Sequence, residues 1–578
     1  MNCKAIKHIK SINIAGYPVV CFLMWLTVQN VDVRWGQAEV VLQWSLPVLS
    51  VLAMIINITD RAKAKRCSIL DVLVLIWAAY YCFRAYIGTE IPCATQFLKD
   101  FGMFLLYFTL RPIMSCCKSS STFIISFLLI CGCYEAFGGL LQVIHGSGRH
   151  YLYLLTGSFL NPGPYSAYIL LALVVCVTSL EKISVFSSES VSGIRKYAEN
   201  TCYFIIVLLS FVLFATWSRA AIISFMAVSL YVFRPHYWKY RVLLWLALGS
   251  CCILLYVIKQ GSADGRLLTW AASLTSWLHS PWVGVGIGGF HHACGEGIAE
   301  LYAKNNDNPL FAAGNVAEYA FCDFIKVLVE QGAVGGLLCI ACLMVALYDV
   351  CHWNKPLFYG LLSLMIFSLF SYPFEQHPFR IILVLLAASA PHRHSFVKVK
   401  GVSGKTLLSV FCLCVATVSG FVAKASQDRF NAYHDIRLFS NMHHEAFIKD
   451  YYELLPLESD NPGFLFDFAK TLREAGRYND SNAMLRRGTL VSSDPMFYVL
   501  QGNNYKDMHC YGHAEASYEK ALAVMPNRIY PLYQLMLLHK DTDQSVKMKK
   551  VASRILQSRP KVTSPATEEI IKKAKECL

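Results

Sequence analysis

Two arginines, Arg219 and Arg266, and a row of ionisable residues at Asp323, Lys326 and Glu330 are the groups whose types and spacing suit chemistry. Asp323, Lys326 and Glu330 fall at i, i+3 and i+7, so on a helix they share a face. At the end of an apolar run such groups are costly unless they pair with one another or line a wet cavity, and both readings stand. Glu135, inside an earlier apolar run, poses the same choice. Ser218-Arg219 opens one apolar run and Asn161-Pro162-Gly163-Pro164 opens another, with Pro164 suited to a first helical turn. A helix N-terminus presents unpaired N–H groups that favour an anion. Arg219 reads equally as an interfacial side chain reaching for water. Arg266 begins a stretch in which Leu267, Trp270, Leu274, Trp277 and Leu278 return at three- and four-residue steps, one face of a helix. Two tryptophans on that face suit a helix lying in a membrane interface. The stretch is either an amphipathic lid with a surface arginine or the roof of a site.

The elements that must position these residues are membrane spans. The chain has 578 residues, 55% hydrophobic and 16% charged, where soluble domains carry roughly 25% charged residues. Most of the 22 cysteines sit within apolar runs, where cysteine behaves as a small hydrophobe. Cysteine and histidine spacing suggests no zinc site. The net charge of +14 comes from basic residues clustered in short loops between apolar runs, which argues against nucleic-acid binding.

Apolar runs at 13–29, 38–57, 69–87, 100–114, 122–143, 164–180, 202–217, 220–233 and 241–258 precede a large polar loop at about 259–323. Runs at 324–349, 357–373, 379–391 and 405–424 follow it. The expected fold is all-α, a polytopic membrane protein of about 12–13 spans. Lys4, Lys7 and Lys10 before the first run suit an uncleaved anchor that starts inside. From that start, alternate loops carry the basic residues: Arg61, Lys63, Lys65 and Arg66, then Arg111 and Lys118, then Lys182, Arg195 and Lys196. Arg234, Lys239 and Arg241 follow, then Lys355, and last Arg393, Lys398, Lys400 and Lys405. The opposite, outer face then receives 144–163, the Trp217–Arg219 turn, the large loop and everything beyond about 425. Arg380 is expected in an outer loop, where exchange for lysine would be mild.

Residues 1–424 thus form the membrane domain, and residues 425–578 a polar, soluble helical domain. Segments 461–495, 496–527 and 528–561 look like helix-pair units of about 34 residues, the period of tetratricopeptide repeats. Such stacks bind protein partners and carry no chemistry of their own.

Gly157-Ser158-Phe159-Leu160-Asn161-Pro162, Thr216-Trp217-Ser218-Arg219-Ala220-Ala221, Gly265-Arg266-Leu267-Leu268-Thr269-Trp270, Pro281-Trp282-Val283-Gly284-Val285-Gly286 and Val329-Glu330-Gln331-Gly332-Ala333-Val334-Gly335 follow one another in this order. Taken together with their outward placement, they resemble the O-antigen ligase/polymerase superfamily of membrane glycosyltransferases, which includes protein O-oligosaccharyltransferases. The resemblance covers residues 10–390.

It implies a glycan donor carried on polyprenyl diphosphate in the outer leaflet of a bacterial inner membrane. The acceptor would be a glycan, lipid or protein, and neither metal nor nucleotide sugar is expected. Arg219 and Arg266 match the family's phosphate-contacting arginines, and a guanidinium offers two-pronged donors to a diphosphate leaving group. Asn161, Ser218, Trp270, His291, His292 and Lys326 are expected to contact substrate. Many ligases carry a histidine-asparagine pair before the Glu-x-Gly motif. Aligned on Glu330 and Gly332, this chain has Phe321 and Cys322 there. Glu318, Asp323, His291 or His292 is left to supply the base, or the base is dispensable. A transporter of polyprenyl-linked glycans and a non-catalytic anchor for the repeat domain are the alternatives from other classes.

Overall fold

A computed structural model of the chain describes residues 16–32, 34–59, 64–87, 93–115, 117, 119–150, 152–185, 192–234, 238–391, 395–440, 442, 444–558 and 564–578. Lys4, Lys7, Lys10, Arg61, Lys63, Lys118 and Arg393, which carry part of the basic-loop argument, lie outside them. Every expected span coincides with a helix. Before the large loop these are α1 (Gly16–Leu26), α2 (Gln37–Thr59), α3 (Ile69–Tyr86), α4 (Ala94–Met114), α5 (Ser120–His145), α6 (Pro162–Val185), α7 (Ser192–Ala215), α8 (Arg219–Val232) and α9 (Arg241–Ile258). The loop itself folds into α10 (Gln260–His279) and α11 (Phe290–Lys304). After it come α12 (Asp323–Trp353), α13 (Lys355–Ser368), α14 (His377–Ser389) and α15 (Gly401–Phe439). Among the described residues, 7 helices are long and apolar enough to cross a membrane, and α1, α8, α13 and α14 are shorter apolar helices. The all-α expectation holds, with one addition: β1 (Ala64–Ser68) pairs antiparallel with β2 (Ser395–Lys400).

The chain divides into two units. The first comprises Met1–Tyr80, Leu98–Leu255 and Leu337–Gln427. Its central helix is α6, 78% buried over its apolar window against 22% for the corresponding window of α7. A helix apolar all round must be buried on every side. Gly360 of α13 lets that helix approach closely, since a Cβ there would lie 2.6 Å from Val175. α6 begins at Pro162, two residues before the expected Pro164, because Asn161 Oδ1 accepts the Gly163 N–H at 2.9 Å and starts the helix there.

Both ends of the first unit fix helix direction. At one end, Lys99 Nζ of α4 lies 2.9 Å from Glu39 Oε2 of α2, His377 Nδ1 of α14 lies 3.9 Å from Glu39 Oε1, and Arg380 of α14 pairs with Asp100 of α4. At the other, Arg111 of α4 donates to the carbonyls of Ala388 and Ala390 at 3.0 and 3.2 Å, where α14 ends. There the β1–β2 ribbon also joins the segment after α2 to the segment after α14. α2, α4 and α14 therefore run parallel, as the alternation of basic loops requires. The expected place of Arg380 is corrected: this residue lies in the first turn of a helix, 14% exposed and ion-paired with Asp100, and not in a loop.

The second unit comprises Tyr81–Phe97, Tyr256–Gly336 and Asp428–Leu578. α10 and α11 pack around Leu268, Ala272, Phe290, Ala293, Cys294 and Ile298. The opposite face of α10 leaves Leu267, Leu274 and Leu278 exposed at 40%, 40% and 67%. The tail adds α16 (Ile448–Glu458), α17 (Pro462–Glu474), α18 (Tyr478–Val491), α19 (Met496–Asp507), α20 (Tyr511–Val524), α21 (Ile529–Asp541), α22 (Ser545–Gln557) and α23 (Pro565–Glu576). The helix pairs α17–α18, α19–α20 and α21–α22 recur with the period read from the sequence. Gly502 of α19 lies against the Tyr518 ring of α20, where any Cβ would collide.

Candidate functional site

The glycine-rich run after α10 and the Glu-x-Gly run in α12 are two halves of one backbone joint. Val285 N–H donates to Val329 O at 2.9 Å and Gly286 N–H to Glu330 O at 3.0 Å. In return, Ala333 N–H donates to Pro281 O at 2.8 Å and Val334 N–H to Trp282 O at 3.1 Å. Gly332, with φ 65° and ψ −170°, breaks α12 to expose these groups. A Cβ at Gly332 would strike the Trp282 carbonyl, and one at Gly284 would lie 2.5 Å from Val329 O. Gly284, Val285, Gly286, Gly288 and Gly289 all spend their N–H groups on acceptors within the chain. This run is a packing joint and not a phosphate cradle.

Glu330 fastens the joint. It is 2% exposed; its Oε1 accepts from Gly288 N–H at 3.2 Å and its Oε2 from Gln96 Nε2 at 2.9 Å. Arg84, at the end of α3, donates to Gly284 O at 2.9 Å and to Ile87 O at 2.8 Å. Neither Arg84 nor Gln96 stood out in the sequence; the available signal was a buried-length apolar run ending in arginine.

Three groups converge on the segment Ala317–Phe321 that leads into α12. Arg266 places its guanidinium carbon 5.1 Å from the centre of the Phe321 ring, within cation–π range. Trp270, one turn on, donates its Nε1–H to Ala320 O at 3.0 Å. His291 Nδ1 lies 2.7 Å from Ala317 O. A carbonyl only accepts, so Nδ1 carries the proton and the neutral ring has its lone pair on Nε2. Phe321 itself has φ 52°, a strained conformation for an aromatic residue.

The remaining expectations divide. Asp323 and Lys326 are half-buried in the first turn of α12, while Glu318 is exposed. His292 Nδ1 lies 2.7 Å from Thr489 O, so one edge of its ring faces the repeat tail. Burial pushes the Cys322 thiol up, leaving it protonated and a poor nucleophile. Among the described residues no group of three or more metal-binding side chains is present.

Asn161, Ser218 and Arg219 belong to the first unit. Ser218 caps α8 in extended conformation after Trp217 turns the chain at φ 50°, and Arg219 is half-buried in the first helical turn. The loop before α6 is held by α5: Gln142 accepts from Gly157 N–H at 2.8 Å and donates to its carbonyl at 2.7 Å, and Glu135 accepts from Ser158 N–H at 3.0 Å. Glu135 is thus held through Oε2 alone, while its Oε1 is buried without a hydrogen-bond partner among the described residues.

No curated protein matches this chain. Residues 204–340, the stretch from α7 into α12 that carries Arg219, Arg266, Phe321 and Glu330, match the family model Wzy_C and are thus similar to the O-antigen ligase domain.

Proposed function

We propose that this protein is an inverting, metal-independent glycosyltransferase that moves a glycan from a polyprenyl-diphosphate carrier to an acceptor at the outer face of the bacterial inner membrane. The observation that carries the reading is the convergence of Arg266, Trp270 and His291 on one short segment inside the region similar to the O-antigen ligase domain. The parallel course of α2, α4 and α14 supports the parity of the expected spans, and the alternation of basic loops favours an inside N-terminus with an outer loop and tail. The helix-pair period supports a tetratricopeptide-like tail.

In this reading Arg219 and Arg266 bind the diphosphate, where fixed bidentate donors stabilise the charge that develops on the leaving group. The acceptor hydroxyl oxygen attacks the anomeric carbon, the bond from that carbon to the diphosphate oxygen breaks, and polyprenyl diphosphate leaves with inversion. His291 Nε2 takes the hydroxyl proton, replacing the histidine that many ligases carry at the position of Phe321. Asn161 and Ser218, at two helix N-termini, and Trp270 and Lys326 complete the substrate contacts, with Asp323 and Glu318 as the other candidate bases. Glu330 acts through the joint it fastens and not on substrate.

The phenylalanine at position 321 favours one rival, a non-catalytic anchor. The surface-glycan profile of a deletion strain separates the possibilities. Loss of all long chains indicates ligation to lipid, loss of length alone indicates polymerisation, and loss of a glycoprotein indicates protein glycosylation. An unchanged profile contradicts the enzyme reading.

A further inference from the structure

The repeat tail is expected to serve partners, yet one of its faces is already occupied by its own chain. α11 packs against α18 and α20. Lys520 Nζ pairs with Glu296 Oε2 at 2.6 Å, in addition to the His292–Thr489 contact. Gly295 lies so close that a Cβ there would be 3.0 Å from Ser493 Cβ. The tail also grips the irregular segment that runs from 312 to Phe321. Asn527 Nδ2 donates to Ala312 O at 3.2 Å and to Gly314 O at 2.8 Å, and Ser493 Oγ accepts the Ala317 N–H at 3.2 Å.

A second grip is independent of the first. Asp460, 4% exposed in the turn after α16, accepts the Thr95 N–H at 2.7 Å and its Oγ1–H at 3.2 Å. A carboxylate at this place caps the first turn of α4 and complements its positive end. The next residue is Gln96, whose amide holds Glu330. Asp460, Thr95, Gln96, Glu330 and Gly288 therefore form one continuous chain of contacts from the tail to the glycine joint.

We propose that the tail is a built-in clamp of the loop site, with Asn527, Ser493 and Asp460 as positioning residues. Asn527 and Ser493 fix the path of the backbone into Ala317–Phe321, on which Arg266, Trp270 and His291 rest. Asp460 fixes the Glu330 joint. The face of the repeats against α11 is thereby closed to outside partners. The inference rests on the proposed glycan transfer for its consequence in rate, and not for the grip itself.

The test uses the full chain in lipid nanodiscs, with Asn527→Ala, Ser493→Ala, Asp460→Ala and the conservative Asp460→Glu. Hydrogen exchange of 312–322 should rise in Asn527→Ala and Ser493→Ala, and that of 284–289 in Asp460→Ala, while α6 stays protected. Displacing reactive groups by about 1 Å costs on the order of 100-fold in rate. kcat should therefore fall about 10- to 100-fold with little change in donor KM, and Asp460→Glu should recover part of it. Unchanged exchange in these segments overturns the clamp whatever the activity. Raised exchange with unchanged kcat overturns the positioning role. Raised exchange in a chain whose unsubstituted form transfers no glycan upholds the clamp and contradicts the glycan reading instead.

Discussion

Arg266 rests its guanidinium over the face of Phe321, 5.1 Å from the ring centre, at the place where many ligases carry a histidine. The ring thus orients the arginine and supplies no base. Phe321→Leu keeps the apolar volume and removes the π-face, a contact worth about 0.5–2 kcal/mol. kcat should fall by a few-fold to about 30-fold, with little change in donor KM, measured by donor titration of transfer at matched protein levels. A weaker donor affinity with unchanged kcat would speak against an orienting role.

His291 is the second assignment that activity can test. With Nδ1–H held by Ala317 O, a base at Nε2 would contribute about 10²- to 10⁴-fold. His291→Gln should lower kcat by that order and remove the acid limb of the pH–rate profile. An unaltered profile would return the role to Asp323 or Glu318.

The glycine joint predicts a stability difference between two glycines four residues apart. Gly332→Ala must adopt φ 65° and place its Cβ against the Trp282 carbonyl, so a loss of about 2–4 kcal/mol is expected. At Gly336 the nearest atom to a Cβ is Leu328 Cδ1 at 3.6 Å, and alanine there should be neutral. Thermal unfolding in detergent, read by intrinsic fluorescence, compares the two.

The tail carries a pH dependence. His539 is 3% exposed in α21; burial holds its pKa below the ordinary value, with Glu515 3.9 Å away opposing the shift. A depressed histidine pKa means that the unfolded tail binds the proton first. The contribution to stability is thus present above the ordinary histidine value of about 6.5 and is lost as pH falls below it. Hydrogen exchange in α21 should be faster at pH 5.5 than at pH 7.5 after correction for intrinsic rates, and His539→Gln should flatten that difference.

The spans were legible because each is a local run whose polarity differs from its flanks, and the helix pairs because their period is local too. Asn161 was legible as the start of a helix, though not as the residue that moves the start ahead of Pro164. The contacts that assemble the site were not legible. Arg84 meets Gly284 at a separation of 200 residues and Thr95 meets Asp460 at 365, and no local pattern marks such pairs. Glu330 stood among the candidates for chemistry because a carboxylate in an apolar run is costly. The same cost is met here by two hydrogen-bond donors from other segments. Arg380 misled for a related reason, since its partner Asp100 lies in a helix far away in sequence.

The central claim, that Arg219 and Arg266 bind a leaving diphosphate, is tested by Arg219→Lys and Arg266→Lys, with exposed Arg486→Lys in α18 as the control. Lysine keeps the charge and loses the planar fork. The measurement is transfer from purified polyprenyl-diphosphate glycan at matched levels of inserted protein. Both site variants should lose about 10²- to 10³-fold in rate, or about 3–4 kcal/mol, while the control keeps its activity. Full activity in both site variants would contradict the account.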